Sequence, residues 1–203
     1  MEELSKYIPK NAIELVREIL SNHPINIKIV NNRTSKHGDF KKVKTGALVI
    51  TINNNLNEFQ FLLTLIHEIA HFTTYKQFKR VKPHGIEWKL NFQHLMLPFL
   101  QPTIYPKNLL PYLAKYLKNP KASTGADVNL TLALKQYDEI SGKNFIFELE
   151  HGSIFTFNNK SYKKGNKRRT RYECTQLDSN KTYLFNQNAE VIVQLGILNK
   201  ELT

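Results

Sequence analysis

His67-Glu68-Ile69-Ala70-His71 sets two imidazoles four residues apart, with a carboxylate directly after the first. On a helix, residues i and i+4 lie one above the other on a single face, so both rings can reach one metal ion. Glu68 then faces water at the ion rather than the ion itself. Zinc suits such a site, because three protein ligands leave a fourth position for water and lower its pKa towards neutrality. A carboxylate beside it takes the proton, and the hydroxide attacks a polarised carbonyl. Chance produces this five-residue pattern in a chain of this length on the order of one per cent of the time or less. Two uncoordinated histidines and a glutamate would also be costly in so apolar a helix.

A third ligand is required. The metzincin extension of the motif needs glycine at 74 and histidine at 77, and the chain has Thr74 and Gln77. Beyond a basic loop over residues 76–82, Pro83 can open a second helix running to about Phe99. Along it His84, Glu87, Asn91 and His94 form one polar stripe, with Trp88, Phe92, Leu95 and Met96 supplying apolar packing. Ten helical residues span about 15 Å, so His84 and His94 cannot both ligate one ion. His84 is the better candidate, with Glu87 and His94 as alternatives.

The elements that must position these groups are legible in outline. Ile13–Leu20 reads as a helix, Ile25–Val30 and Ala47–Ile52 as strands, and residues 33–44 as a polar, basic connection containing Gly38. Leu56–Tyr75, apolar on several sides, is the strongest helix and belongs at the centre of a domain. Prolines punctuate short helices and turns between Pro98 and Pro120, and a further helix follows over Val128–Tyr137. After Gly142 come short strands at Phe145–Glu150, Ser153–Asn158, Thr170–Cys174, Thr182–Phe185 and Val191–Leu195. The expected fold is α+β, with one domain over residues 1–140 and a small antiparallel β unit over 141–203.

His67-Glu68-Ile69-Ala70-His71, followed by Pro83-His84-Gly85-Ile86-Glu87-Trp88, resembles the SprT-like zinc metalloprotease family of the Spartan type. Upstream, Arg33-Thr34-Ser35-Lys36-His37-Gly38-Asp39 and Asn53-Asn54-Asn55-Leu56-Asn57 are also similar to its domain pattern. The similarity extends over about residues 20 to 100. It implies a zincin-like metalloprotease core in which His67, His71 and His84 hold one zinc ion and Glu68 is catalytic. It also implies peptide-bond hydrolysis on DNA-associated proteins, of the DNA–protein crosslink repair type. Many members carry a four-cysteine zinc ribbon at their C-terminal end. Here Cys174 is the single cysteine, which leaves a degenerate, ribbon-like unit without zinc ligands and excludes an internal disulfide.

The net charge of +12 favours an anionic partner. Lys163, Lys164, Lys167, Arg168, Arg169 and Arg171, with Tyr162 and Tyr172 close by, suit sequence-independent contact with single-stranded or irregular DNA. The competing expectation is a solvated basic hairpin. Lys76, Lys79, Arg80 and Lys82 form a second basic cluster beside the proposed site. The acidic start of the chain and its short apolar runs predict a cytoplasmic protein with no membrane partner. Cys174 reads as a small buried residue. A nucleic-acid-binding protein with a purely structural zinc is the alternative function.

Overall fold

The computed structural model describes residues 2–23, 25–33, 35–78, 80–138 and 142–193. The chain divides into two compact units, one ending at Glu139 and the other beginning at Ile140. Together they hold two sheets and five α-helices among the described residues, an α+β arrangement.

In the first unit, α1 (Ile13–Asn22) leads into β1 (Asn26–Val30), β2 (Gly38–Lys42) and β3 (Leu48–Asn53). The sheet order is β1-β3-β2, with β1 parallel and β2 antiparallel to β3. Central β3 is apolar because both of its faces are covered: Ile50 and Ile52 enter the main core, while Val49, Thr51 and Asn53 are buried on the other side. Asn53 donates to the carbonyls of Arg33 and Lys36 and accepts from the Arg33 guanidinium, which ties the loop before β2 to the sheet.

Edge strand β2 lies within the polar stretch that reads as a connection in the sequence. Lys41 and Lys42 stand on its exposed end, the composition that keeps an edge from pairing with other chains.

The long helix α2 (Glu58–Gln77) packs on this sheet and is buried continuously from Phe59 to Ala70. Its cap explains the start two residues later than expected. The Asn57 carboxamide accepts from the Gln60 N–H and donates to Leu134 O and Asp138 Oδ1. One side chain therefore caps α2 and fastens it to α5 (Val128–Lys135).

The helix α3 (Ile86–Met96) also begins later than the sequence suggests. Pro83 and His84 lie in a turn before it, Gly85 is its N-cap, and residues Leu97–Phe99 form a short 3-10 turn. The proline-punctuated stretch contains α4 (Leu110–Leu117). No helix among the described residues is long and apolar enough to cross a membrane.

The second unit is a six-stranded antiparallel sheet, fuller than the ribbon expected. Its strands are β4 (Asn144–Phe145), β5 (Ile154–Phe157), β6 (Lys160–Arg168), β7 (Arg171–Gln176), β8 (Thr182–Asn186) and β9 (Glu190–Val193). They lie in the order β4-β9-β5-β6-β7-β8. Ile146, Leu149, Phe155, Tyr162, Cys174, Phe185 and Val191 form its core, so Cys174 is buried packing. The expected strand over Phe145–Glu150 stops at Phe145, because residues Ile146–Glu148 coil into a 3-10 turn. There the Glu148 carboxylate accepts the Phe145 N–H. Leu195, placed in the last strand by sequence, lies outside the described residues, as do Thr34 and Lys79.

Replacing Asn57 with Ala removes a cap and two tertiary hydrogen bonds together. Denaturant unfolding should show a loss of about 1–2 kcal/mol, with Asn57→Asp retaining the cap and losing less.

Candidate metal centre

The centre starts from the register of α2. His67 and His71 face the same way, with ring centroids 5.0 Å apart. His84 joins them from the turn before α3. Its φ of +59° is a left-handed conformation, uncommon for a residue with a side chain though less so for histidine. The next residue permits the turn. A Cβ on Gly85 would lie 2.9 Å from Lys82 O, the same carbonyl that accepts the Gly85 N–H.

From this turn the His84 ring comes to 4.5 Å from that of His71 and 5.4 Å from that of His67, centroid to centroid. The Nε2 atoms of His71 and His84 are 2.9 Å apart. One ring nitrogen from each histidine lies within 4.8 Å of the other two.

Of the alternatives to His84, Glu87 is outside this cluster and His94 is exposed. Asn91, on the same stripe, has a structural job instead, donating to Thr74 Oγ1 and Gln77 Oε1 and so clamping α3 to α2.

Burial keeps the rings in the neutral form. Burial, followed by the charges of His71 and His84, drives the pKa of His67 far below the usual imidazole range. His71 falls to about 4, through burial and then His84, with Asp39 opposing. Burial lowers His84 as well. Neutral imidazoles bind a cation without first losing protons.

The donor set fits a metal ion: three imidazole nitrogens lie within 4.8 Å of one another, and such a set would suit zinc. His67 Nδ1 is buried without a hydrogen-bond partner.

Glu68 is held by β2. The Phe40 N–H hydrogen-bonds its carboxylate, and Gly38 lies directly against it. A Cβ at Gly38 would sit 2.8 Å from Glu68 Oε1 and 2.7 Å from Thr64 Cγ2, so only glycine leaves the carboxylate its place. In the metal-free chain burial, then Asp39, raises the Glu68 pKa to about 8. The Phe40 N–H, Lys36 and Arg33 pull the other way.

Gly38 and Phe40 are site residues that sequence reading missed. The signal available was a glycine and an aromatic two apart, the spacing of one strand face.

The basic segment forms β6, the turn after it and the start of β7, a basic hairpin. Lys163 is exposed, and Arg168, Arg169, Thr170, Arg171 and Leu184 line a concavity of about 580 Å³. Arg168 pairs with Glu173 at 3.4 Å, an exposed ion pair. Two expected contributors are withdrawn from the surface. Strand alternation turns Tyr162 and Lys164 into the core. The Lys164 ammonium donates to Leu149 O and lies 4.2 Å from the centre of the Tyr172 ring, so it offers no charge to a partner. Lys167 also leans towards Tyr172, 5.8 Å from the ring centre.

No protein-family signature and no solved structure matches the chain. A stretch of 30 residues, 15% of the chain, is 50% identical to Protein SprT of Yersinia enterocolitica serotype O:8 / biotype 1B. The likeness is to SprT, and it is partial. The match spans 18% of that protein's length.

For the metal-free protein the shifts at His67, Glu68 and His71 predict a stability maximum near pH 6.5. Below that pH the unfolded chain takes up protons on His67 and His71 that the folded chain refuses. Glu68, protonated only in the folded state, offsets one of the two down to about pH 4.5. Above pH 6.5 the folded state alone must lose the Glu68 proton as pH rises to about 8. Stability should therefore fall by up to roughly 1.4 kcal/mol per pH unit on each side. Urea unfolding in chelator across pH 5–8 measures it, and a stability that is flat with pH over that range would contradict it.

Proposed function

We propose that the chain is a zinc-dependent metallopeptidase with a zincin-like core, acting on DNA-associated proteins. Its ligands are His67, His71 and His84, and its general base is Glu68. The convergence of three neutral imidazole nitrogens within 4.8 Å carries this reading. The partial identity with Protein SprT and the HExxH spacing support it. When bound, the ion supplies a Lewis acid that acidifies water and polarises a scissile carbonyl.

The protein's own groups do the rest. His67 and His71, one helical turn apart, and His84, from its left-handed turn, occupy one side of the centre. Glu68, kept in place by Gly38 and the Phe40 N–H, accepts a proton from the attacking water. It then returns the proton to the departing amine nitrogen. Burial serves both transfers, because a carboxylate raised towards neutrality is a better proton acceptor and, once protonated, still acidic enough to give the proton back.

DNA is proposed as the partner of the second unit. The +12 charge and the exposed Lys163, Lys167, Arg168, Arg169 and Arg171 support it. Sequence-independent, salt-sensitive binding is the expected mode.

Glu68→Gln should lower protein cleavage by about 10²–10⁴-fold while bound zinc and DNA affinity stay unchanged. Cleavage products are read by mass spectrometry on protein mixtures with and without single-stranded DNA. A zinc-loaded wild type that cuts no protein under either condition would point instead to a nucleic-acid-binding protein with structural zinc.

Replacing Arg168, Arg169 and Arg171 together by Ala should weaken single-stranded DNA binding. It should also flatten the log–log salt dependence by about 2, at roughly 0.7 for each phosphate no longer neutralised. Fluorescence anisotropy across a salt series checks it, and an unchanged slope would remove DNA binding from this surface.

A further inference from the structure

Metal-binding histidines are ordinarily oriented by a hydrogen bond from the ring nitrogen that does not hold the metal to a carboxylate, carbonyl or water. The structure shows no such bond at His67 Nδ1, which is buried without a partner. What the three rings share instead is Trp88. This indole, 1% exposed, is stacked on His71 with centroids 5.2 Å apart at 28°. It lies 4.6 Å from the His67 ring at 60° and 4.7 Å from the His84 ring at 75°.

The indole is itself wedged from behind by Phe92, stacked at 5.1 Å and 18°, and Phe92 in turn meets His67 at 5.5 Å and Tyr116 at 6.3 Å. Trp88 Nε1 is buried without a partner, so its placement comes from ring packing rather than a hydrogen bond. Rotating any one imidazole away would open a gap beside a flat, rigid side chain in a close-packed region.

We propose that Trp88 is the positioning residue of the metal centre, an aromatic wall whose packing converges the three imidazoles. It also shields its side of the centre from water. The inference rests on the reading that His67, His71 and His84 hold a metal. It adds that their affinity and geometry depend on an apolar neighbour with no lone pair to offer the ion.

The experiment uses the full chain, with zinc affinity measured by competition with a chromogenic chelator. Trp88→Leu should weaken zinc binding by about 10–100-fold. Its cobalt-substituted form should lose the intense visible absorption of tetrahedral coordination, while far-UV circular dichroism stays unchanged. Trp88→Phe, which restores a ring, should recover most of both. Trp88 is also the single tryptophan, so one equivalent of zinc should shift the indole emission of the wild type and then saturate.

A folded Trp88→Leu protein with wild-type zinc affinity and cobalt spectrum would overturn the proposal while leaving the metal site standing. If that variant does not fold, the wild-type emission decides, and emission indifferent to bound zinc overturns it. A wild type that binds no zinc at all would end both the proposal and the reading beneath it.

Discussion

Desolvation is the constraint around which the first unit is arranged. His67 and Glu68 lie on adjacent positions of α2 within a run buried from Phe59 to Ala70, where an unpaired charge is costly. The helix tolerates them because the imidazoles are pushed to neutrality and the carboxylate towards it. Each surrounding feature answers one of these groups. A left-handed turn at His84 completes the nitrogen cluster, Trp88 fills the space against the rings, and a glycine on β2 makes room for the carboxylate. Strain in that turn and the rigidity of the packed rings are the local cost of holding three imidazole nitrogens within 4.8 Å of one another.

The chemistry was more legible in the sequence than the architecture that serves it. A two-histidine, one-glutamate pattern on an apolar helix is visible because helical periodicity and residue type coincide over Leu62 to Phe72. His84 could be named but not placed, since helix and turn both accept Pro83-His84-Gly85. The turn prevails because Gly85 caps α3 and Lys82 O closes onto it.

Strand β2 was hidden for a physical reason. Edge strands carry polar residues and lysines, so Gly38–Lys42 reads as a connection, although it holds the backbone that positions Glu68. Strand β6 was hidden by its lysines and arginines. Its alternation becomes apparent only when Tyr162 and Lys164 are seen to share the inner face, with the Lys164 ammonium satisfied by a carbonyl and a ring. Trp88 reads as core in the sequence, and it is buried. That its neighbours would be the three histidines depends on the crossing of α2 and α3, and no local pattern reports that.

X-ray absorption at the zinc edge of the loaded protein tests the central claim most directly. Three imidazole nitrogens and one further oxygen or nitrogen atom are expected at about 2.0–2.1 Å from the ion. A shell of five or six oxygens, or a sulfur at about 2.3 Å from Cys174, would contradict it.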